Sequence, residues 1–210
     1  PRARAEVSAF AIRWAWRMGG VLRFALPARL ALAVLAEPLL WTLFQYGRFS
    51  SGARTMAAGS LRAYTLGLGA FMLGKVRAPG FYAREDMRTP VRVGIIAMVS
   101  NMVLNVAFVL PLMTMFNMGH VGLALATSVS AWLNAGLLYR GLRREAVLPA
   151  TTVPLKWLLQ IGLASTAMTL VLWWMLAGQG DWATWVWWER AIQLGVLCLT
   201  GLGVFAVSLL

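Results

Sequence analysis

The chain has 210 residues, 60% of them hydrophobic and only 12% charged, with a formal net charge of +12. Soluble domains carry roughly 45–50% apolar and about 25% charged residues, so a mean hydropathy of +0.71 excludes a single water-soluble core. Nucleic-acid binding is excluded as well: no basic stripe with interleaved aromatics lies on a soluble module, and the charge fits loops beside anionic lipid headgroups.

In chain order, Arg2, Arg4, Arg13 and Arg17 punctuate the opening residues without the compact apolar core of a cleavable signal peptide. Six membrane-spanning segments are then expected, about 18–44, 56–78, 91–112, 119–139, 155–177 and 191–210. Most are near the ~20 residues that carry a helix across a ~30 Å hydrocarbon layer. Their continuous apolarity excludes the ten-residue alternation of a barrel strand. The fold class is therefore all-α, a polytopic membrane protein of six transmembrane helices forming a single transmembrane unit. The first segment is irregular: Arg23, Pro27, Arg29, Glu37 and Pro38 interrupt it, and Glu37-Pro38 marks an expected break. Pro1 at one end and an apolar run without a polar flank, residues 203–210, at the other lead to the expectation of a piece of a longer chain.

Orientation follows from the cations. Arg2, Arg4, Arg13, Arg17, Arg77, Arg84, Arg88, Arg92, Arg140, Arg143, Arg144 and Lys156 fall in one set of connections. The other set holds only Arg48, Arg54, Arg62 and Arg190. The positive-inside rule places the richer set, and with it both ends, in the cytoplasm. Trp173, Trp174, Trp182, Trp185, Trp187 and Trp188 then form an aromatic belt at the outer face.

Charges inside apolar helices are costly and mark functional positions. Lys75, about a turn from the end of the second segment, either faces a cavity or snorkels to the nearby interface. Arg29 follows a proline and either lines a cavity or pairs with a carboxylate such as Glu37; Arg23 sits at the interface. Asn101, Asn105 and Asn134 lie in apolar helices, where amides bond across to neighbours. Lys75, Arg29, Arg23 and Asn105 are taken as candidates along a substrate path, Asn101 and Asn134 as packing residues. Gly67, Gly69, Gly74, Gly195, Gly201 and Gly203 are expected at close helix approaches, and lone Cys198 as a small buried residue. With one histidine, His120, and one cysteine, no histidine triad or multi-histidine metal site forms within the chain. Without a phosphate-cradling Gly-rich loop, nucleotide-driven pumping has no support. Neither an enzyme nor a cofactor is expected.

Several stretches carry a family resemblance. Leu43-Phe44-Gln45-Tyr46-Gly47-Arg48-Phe49 resembles the LFQYGxF motif of the MurJ/MviN lipid II flippase family. Lys75-Val76-Arg77-Ala78-Pro79-Gly80-Phe81-Tyr82-Ala83-Arg84-Glu85-Asp86 resembles its KVLAPGFYARxD pattern, and Thr89-Pro90-Val91 its start to the next helix. Asn105-Val106-Ala107-Phe108 and Leu133-Asn134-Ala135-Gly136-Leu137-Leu138-Tyr139 also resemble family sequence. The resemblance implies helices nine to fourteen of a fourteen-helix member of the multidrug/oligosaccharidyl-lipid/polysaccharide exporter superfamily. It implies lipid II and membrane lipids as partners, an N-terminal lobe of the same protein, a bacterial inner-membrane location and alternating access. Lys75 matches a C-lobe cavity charge, and the last two segments match a groove for the lipid tail. Arg77 and Arg29 depart from the family pattern. The competing readings are a related exporter of drugs or other lipid-linked glycans, and a structural subunit that transports nothing.

Overall fold

The computed structural model describes residues 19–44, 51–82, 85–144, 155–180, 182 and 184–209. Arg2, Arg4, Arg13, Arg17, Arg48, Arg84 and the Gln45–Phe49 part of the first motif lie outside the described residues. The secondary structure of the described residues is helical, with short turns between: α1 (Gly19–Val34), α2 (Ala36–Phe44), α3 (Ser51–Tyr82), α4 (Arg88–Phe116), α5 (Gly119–Arg144), α6 (Leu155–Ala177) and α7 (Trp187–Ser208). Helices satisfy their own backbone groups, which hydrocarbon cannot do for them.

The first segment is one broken span. α1 and α2 meet at Leu35 with a bend of 68°. Pro38 supplies the cause: it has no N–H for the Val34 carbonyl, and its ring crowds that carbonyl. The break therefore falls a turn before Glu37-Pro38, where the blocked bond lies.

Helices α4 to α7 and the bent α1–α2 pair are long and apolar enough to cross a membrane. α3 is not among them, although its 32 residues would rise about 48 Å. It carries Arg54, Arg62, Lys75 and Arg77 along its length. Its contacts nevertheless run parallel to α5, from Ala63 against Ser128 to Phe81 against Gly141, so it lies alongside a candidate span over that length. Helix α3 also starts before and ends after the expected 56–78, running through Pro79 to Tyr82.

Small residues set the α3–α4–α5 packing. A Cβ on Gly67 would stand 2.7 Å from Ser128 Cα, and one on Gly122 2.9 Å from the Phe108 carbonyl oxygen. α5 is correspondingly built of small buried residues, Ala124, Ala126, Ser128, Ser130, Ala131 and Ala135. Gly201 packs on Leu172 across α6–α7, but Gly74, Gly195 and Gly203 face open space. These three glycines thus correct the packing expectation.

Two bundles result. Phe81, Val93, Leu138 and Leu142 form a core at one end of α3–α4–α5, and Ala70, Leu73, Ala131 and Ala135 continue it. Ala164, Met168, Leu172, Leu197 and Phe205 form the α6–α7 core. α1 joins them, since Leu22 packs on the first bundle while Leu30, Ala31 and Val34 pack on the second. The tryptophan belt divides: Trp173, Trp174, Trp187 and Trp188 are exposed, whereas Trp182 is buried with its ring 5.1 Å from Trp185. Cys198 is exposed on α7, not buried.

Candidate functional site

Helix geometry separates the cations of α3. Residues two apart project about 200° from each other, and here one side of the pair meets protein. Arg77 turns toward α5, donating through Nη1 to the Ala135 carbonyl at 2.8 Å with its guanidinium 5.1 Å from the Tyr139 ring centre. Lys75 takes the other side and is exposed. The bond to Ala135 anchors the rotation of α3 and so sets the direction in which Lys75 leaves it.

Arg29 and Glu37 do not pair. Glu37 instead accepts from Arg62 of α3 at 3.0 Å, and Arg62 Nε reaches the Ala33 carbonyl at 3.4 Å. That carbonyl lies in the last turn of α1, where the break leaves acceptors open. Arg62 thereby serves both strands of the bend, as an ion-pair partner of α2 and a cap on α1. Arg29 lies against Gly69 of α3, where a Cβ would be 3.9 Å from its Nη1 and 4.0 Å from the Trp132 ring. The absent side chain of Gly69 leaves room for the guanidinium between α1 and α3. Trp132 is itself fixed, its indole N–H donating to the Leu66 carbonyl at 2.9 Å. Arg23 stacks over Trp157 of α6, 5.3 Å from the ring centre.

The amides of α4 lie along one side of the helix. Asn105 donates to Asn101 Oδ1 at 3.1 Å, and Asn101 Nδ2 donates to Ser130 Oγ at 3.3 Å and Thr127 Oγ1 at 3.5 Å on α5. Asn134 is half-buried on α5 and makes no side-chain hydrogen bond among the described residues. Asp86 accepts from the Arg88 and Thr89 amides at 3.0 and 3.1 Å and so caps α4.

Sequence reasoning missed Arg62, Arg77 and Trp132 as structural polar partners. The signal was present for two of them, because an arginine inside an apolar helix needs a partner; the identity of that partner depends on tertiary register. Among the described residues no three His, Cys, Asp or Glu side chains stand close enough to hold a metal.

Fold and polar positions together define a polytopic helical membrane protein whose apolar helices carry cations, several of them held by neighbouring helices. The family profile described as "Lipid II flippase MurJ" matches residues 6–191. A Vibrio cholerae protein described as "Probable lipid II flippase MurJ" is 44% identical over 200 residues, 95% of this chain and 37% of its own. The "Lipid II flippase MurJ" of Burkholderia cenocepacia is 36% identical over 159 residues, 76% of this chain and 30% of its own. A solved structure of "Lipid II flippase MurJ, inward closed conformation" superposes with a TM-score of 0.75 at 25% identity, covering 95% of this chain and 38% of that one. The chain belongs to the lipid II flippase MurJ family, and it spans about a third of the length of the curated relatives it matches.

Proposed function

We propose that this chain forms the C-terminal part of a lipid II flippase, moving the lipid-linked peptidoglycan precursor across the bacterial inner membrane by alternating access. The observation that carries the reading is the match of residues 6–191 to the flippase family. Its partners are lipid II, the surrounding membrane lipids and an N-terminal lobe of the same protein, against which this part rocks. Both ends of the chain lie in the cytoplasm, as the distribution of arginine requires.

Lys75 supplies positive potential to the path of the pyrophosphate headgroup. Support comes from its exposure on the side of α3 away from Arg77, and from the cost of leaving an ammonium in hydrocarbon, about 2.5–3.5 kcal/mol. Arg29 and Arg23 line the α1 side of the path, and Asn105 borders it on α4. The exposed apolar flanks of α6 and α7, with Leu163, Leu170, Leu199 and Leu202, hold the polyprenyl tail. The test is flipping by the full-length protein at limiting expression in cells depleted of their own flippase. Lys75→Ala is expected to slow flipping and Lys75→Arg to retain most of it; normal flipping by Lys75→Ala removes the lysine from the path.

A further inference from the structure

At the end of the bundle opposite the α3–α4 connection, two guanidinium groups from distant parts of the chain converge on one indole. Arg54 of α3 has its Cζ 3.3 Å from the Trp41 ring centre, and Arg190 of α7 has its Cζ 5.4 Å away. Arg190 is only 6% exposed and donates through Nη1 to the Trp41 carbonyl at 3.5 Å. It therefore positions the indole. Arg54 is partly exposed, and among the described residues its guanidinium donates to no acceptor, its Nε included.

Among the described residues, the nearby carboxylates are engaged elsewhere. Glu37 is held by Arg62 at 3.0 Å, and Glu189 accepts the Val186 amide at 3.0 Å. A guanidinium stacked on an aromatic face can keep the edge formed by its two Nη groups open, a planar fork suited to two oxygens of one phosphate; the Nε of Arg54 is buried and stands outside that fork. Stacking also lowers the entropy lost when the fork is occupied. The exposed Trp187 and Trp188 at the same end of α7 belong at headgroup depth, where lipid phosphates lie.

We infer that Arg54, stacked on Trp41 and backed by Arg190, binds the phosphate of a lipid headgroup. The site lies at the end of the bundle away from the basic α3–α4 and α5–α6 connections. It is separate from the Lys75 path and requires no transport. Two lipids present this chemistry, a polyprenyl diphosphate carried by the protein and an ordinary anionic phospholipid.

The experiment uses the full-length protein labelled with 5-fluorotryptophan in maltoside micelles, with the Trp41 resonance assigned by Trp41→Phe. Undecaprenyl diphosphate, phosphatidylglycerol and inorganic pyrophosphate are titrated separately. The Trp41 signal is expected to move with at least one of the two lipids. Arg54→Gln should weaken that binding about tenfold or more, as loss of a charge-assisted pair does. Arg54→Lys, which keeps the charge but not the fork, should fall between. Tighter binding of the diphosphate lipid assigns the site to the transported class; equal binding assigns it to any lipid phosphate. No movement with either lipid overturns the inference, as does an unchanged titration in Arg54→Gln with the other tryptophan signals in place. Pyrophosphate saturating as readily as the lipids overturns the lipid assignment. Because the readout is binding, its outcome is independent of the Lys75 flipping test.

Discussion

Arg62 and Glu37 illustrate how a charge in an apolar chain finds its use. Each is about half exposed, 50% and 51% of the side chain, so their attraction is weakened by surrounding solvent or headgroups. Exposed ion pairs contribute about 0–1 kcal/mol. A double-mutant cycle with Glu37→Gln and Arg62→Gln, read by thermal unfolding in detergent, is expected to give a coupling of about 0.5–1 kcal/mol. A coupling well above 2 kcal/mol would instead mean that the bend buries the pair away from water. Arg77 is different in kind, since its hydrogen bond goes to a backbone carbonyl already inside a helix. It orients α3 on α5 and leaves Lys75 as the charge on the free side.

Among the elements, α5 is the one whose neighbours approach most closely. Its small buried residues let α3 and α4 come near enough for side chain and backbone to touch. Ser128 Oγ donates to the Ala63 carbonyl at 2.8 Å, across the same contact that Gly67 permits. Gly67→Ala is expected to lower stability by about 1–3 kcal/mol, because the added methyl meets backbone. Gly74→Ala, which faces open space, should be neutral or stabilising by about 0.5–1 kcal/mol through helix propensity. Unfolding midpoints of the two variants in one detergent check both; equal effects would show that the α3–α5 distance is not set by Gly67. α4 behaves oppositely: it exposes Ile95, Met98, Met102, Val103, Val106 and Leu110, so its apolar length faces lipid or the rest of the protein. Its turn into α5 is tight, with Asn117 left-handed at φ 55° and the Met118 amide bonded back to Leu112 at 2.8 Å. Asparagine tolerates that conformation better than most residues.

For the whole molecule, the alternation of connections carries the orientation. The α3–α4 connection and the α4–α5 turn must lie on opposite sides of the bilayer, because α4 alone separates them. With Cys198 replaced by alanine, a cysteine at Glu85 is expected to react with a membrane-impermeant maleimide only after the cytoplasm is opened. A cysteine at Met118 should react in intact spheroplasts. The reverse pattern would invert the topology and move the Arg54 site to the cytoplasmic side. The α6–α7 pair meets the other bundle mainly through α1 and α2, with Arg23 on Trp157 at one end and Arg190 on Trp41 at the other. The broken span thus acts as the shared wall of two smaller units.

Much of this was legible beforehand. Helix class, the break in the first segment and the family all follow from apolar runs, prolines and short motifs. These are local properties, because the bilayer sets helix length and forbids unsatisfied backbone whatever the neighbours are. Partner choice was not legible. Glu37 could be seen to need a cation, but Arg62 rather than Arg29 supplies it, since the relative rotation of α1 and α3 decides which guanidinium reaches across. The same holds for the glycines: a glycine in a helix reads alike at Gly67 and Gly74, and only the neighbour's position separates contact from open space. Sequence by itself determined what each segment is, because hydrophobicity and backbone chemistry act within a few turns. Tertiary structure alone decided what each polar side chain touches, because helix register and rotation come from packing between segments far apart in the chain.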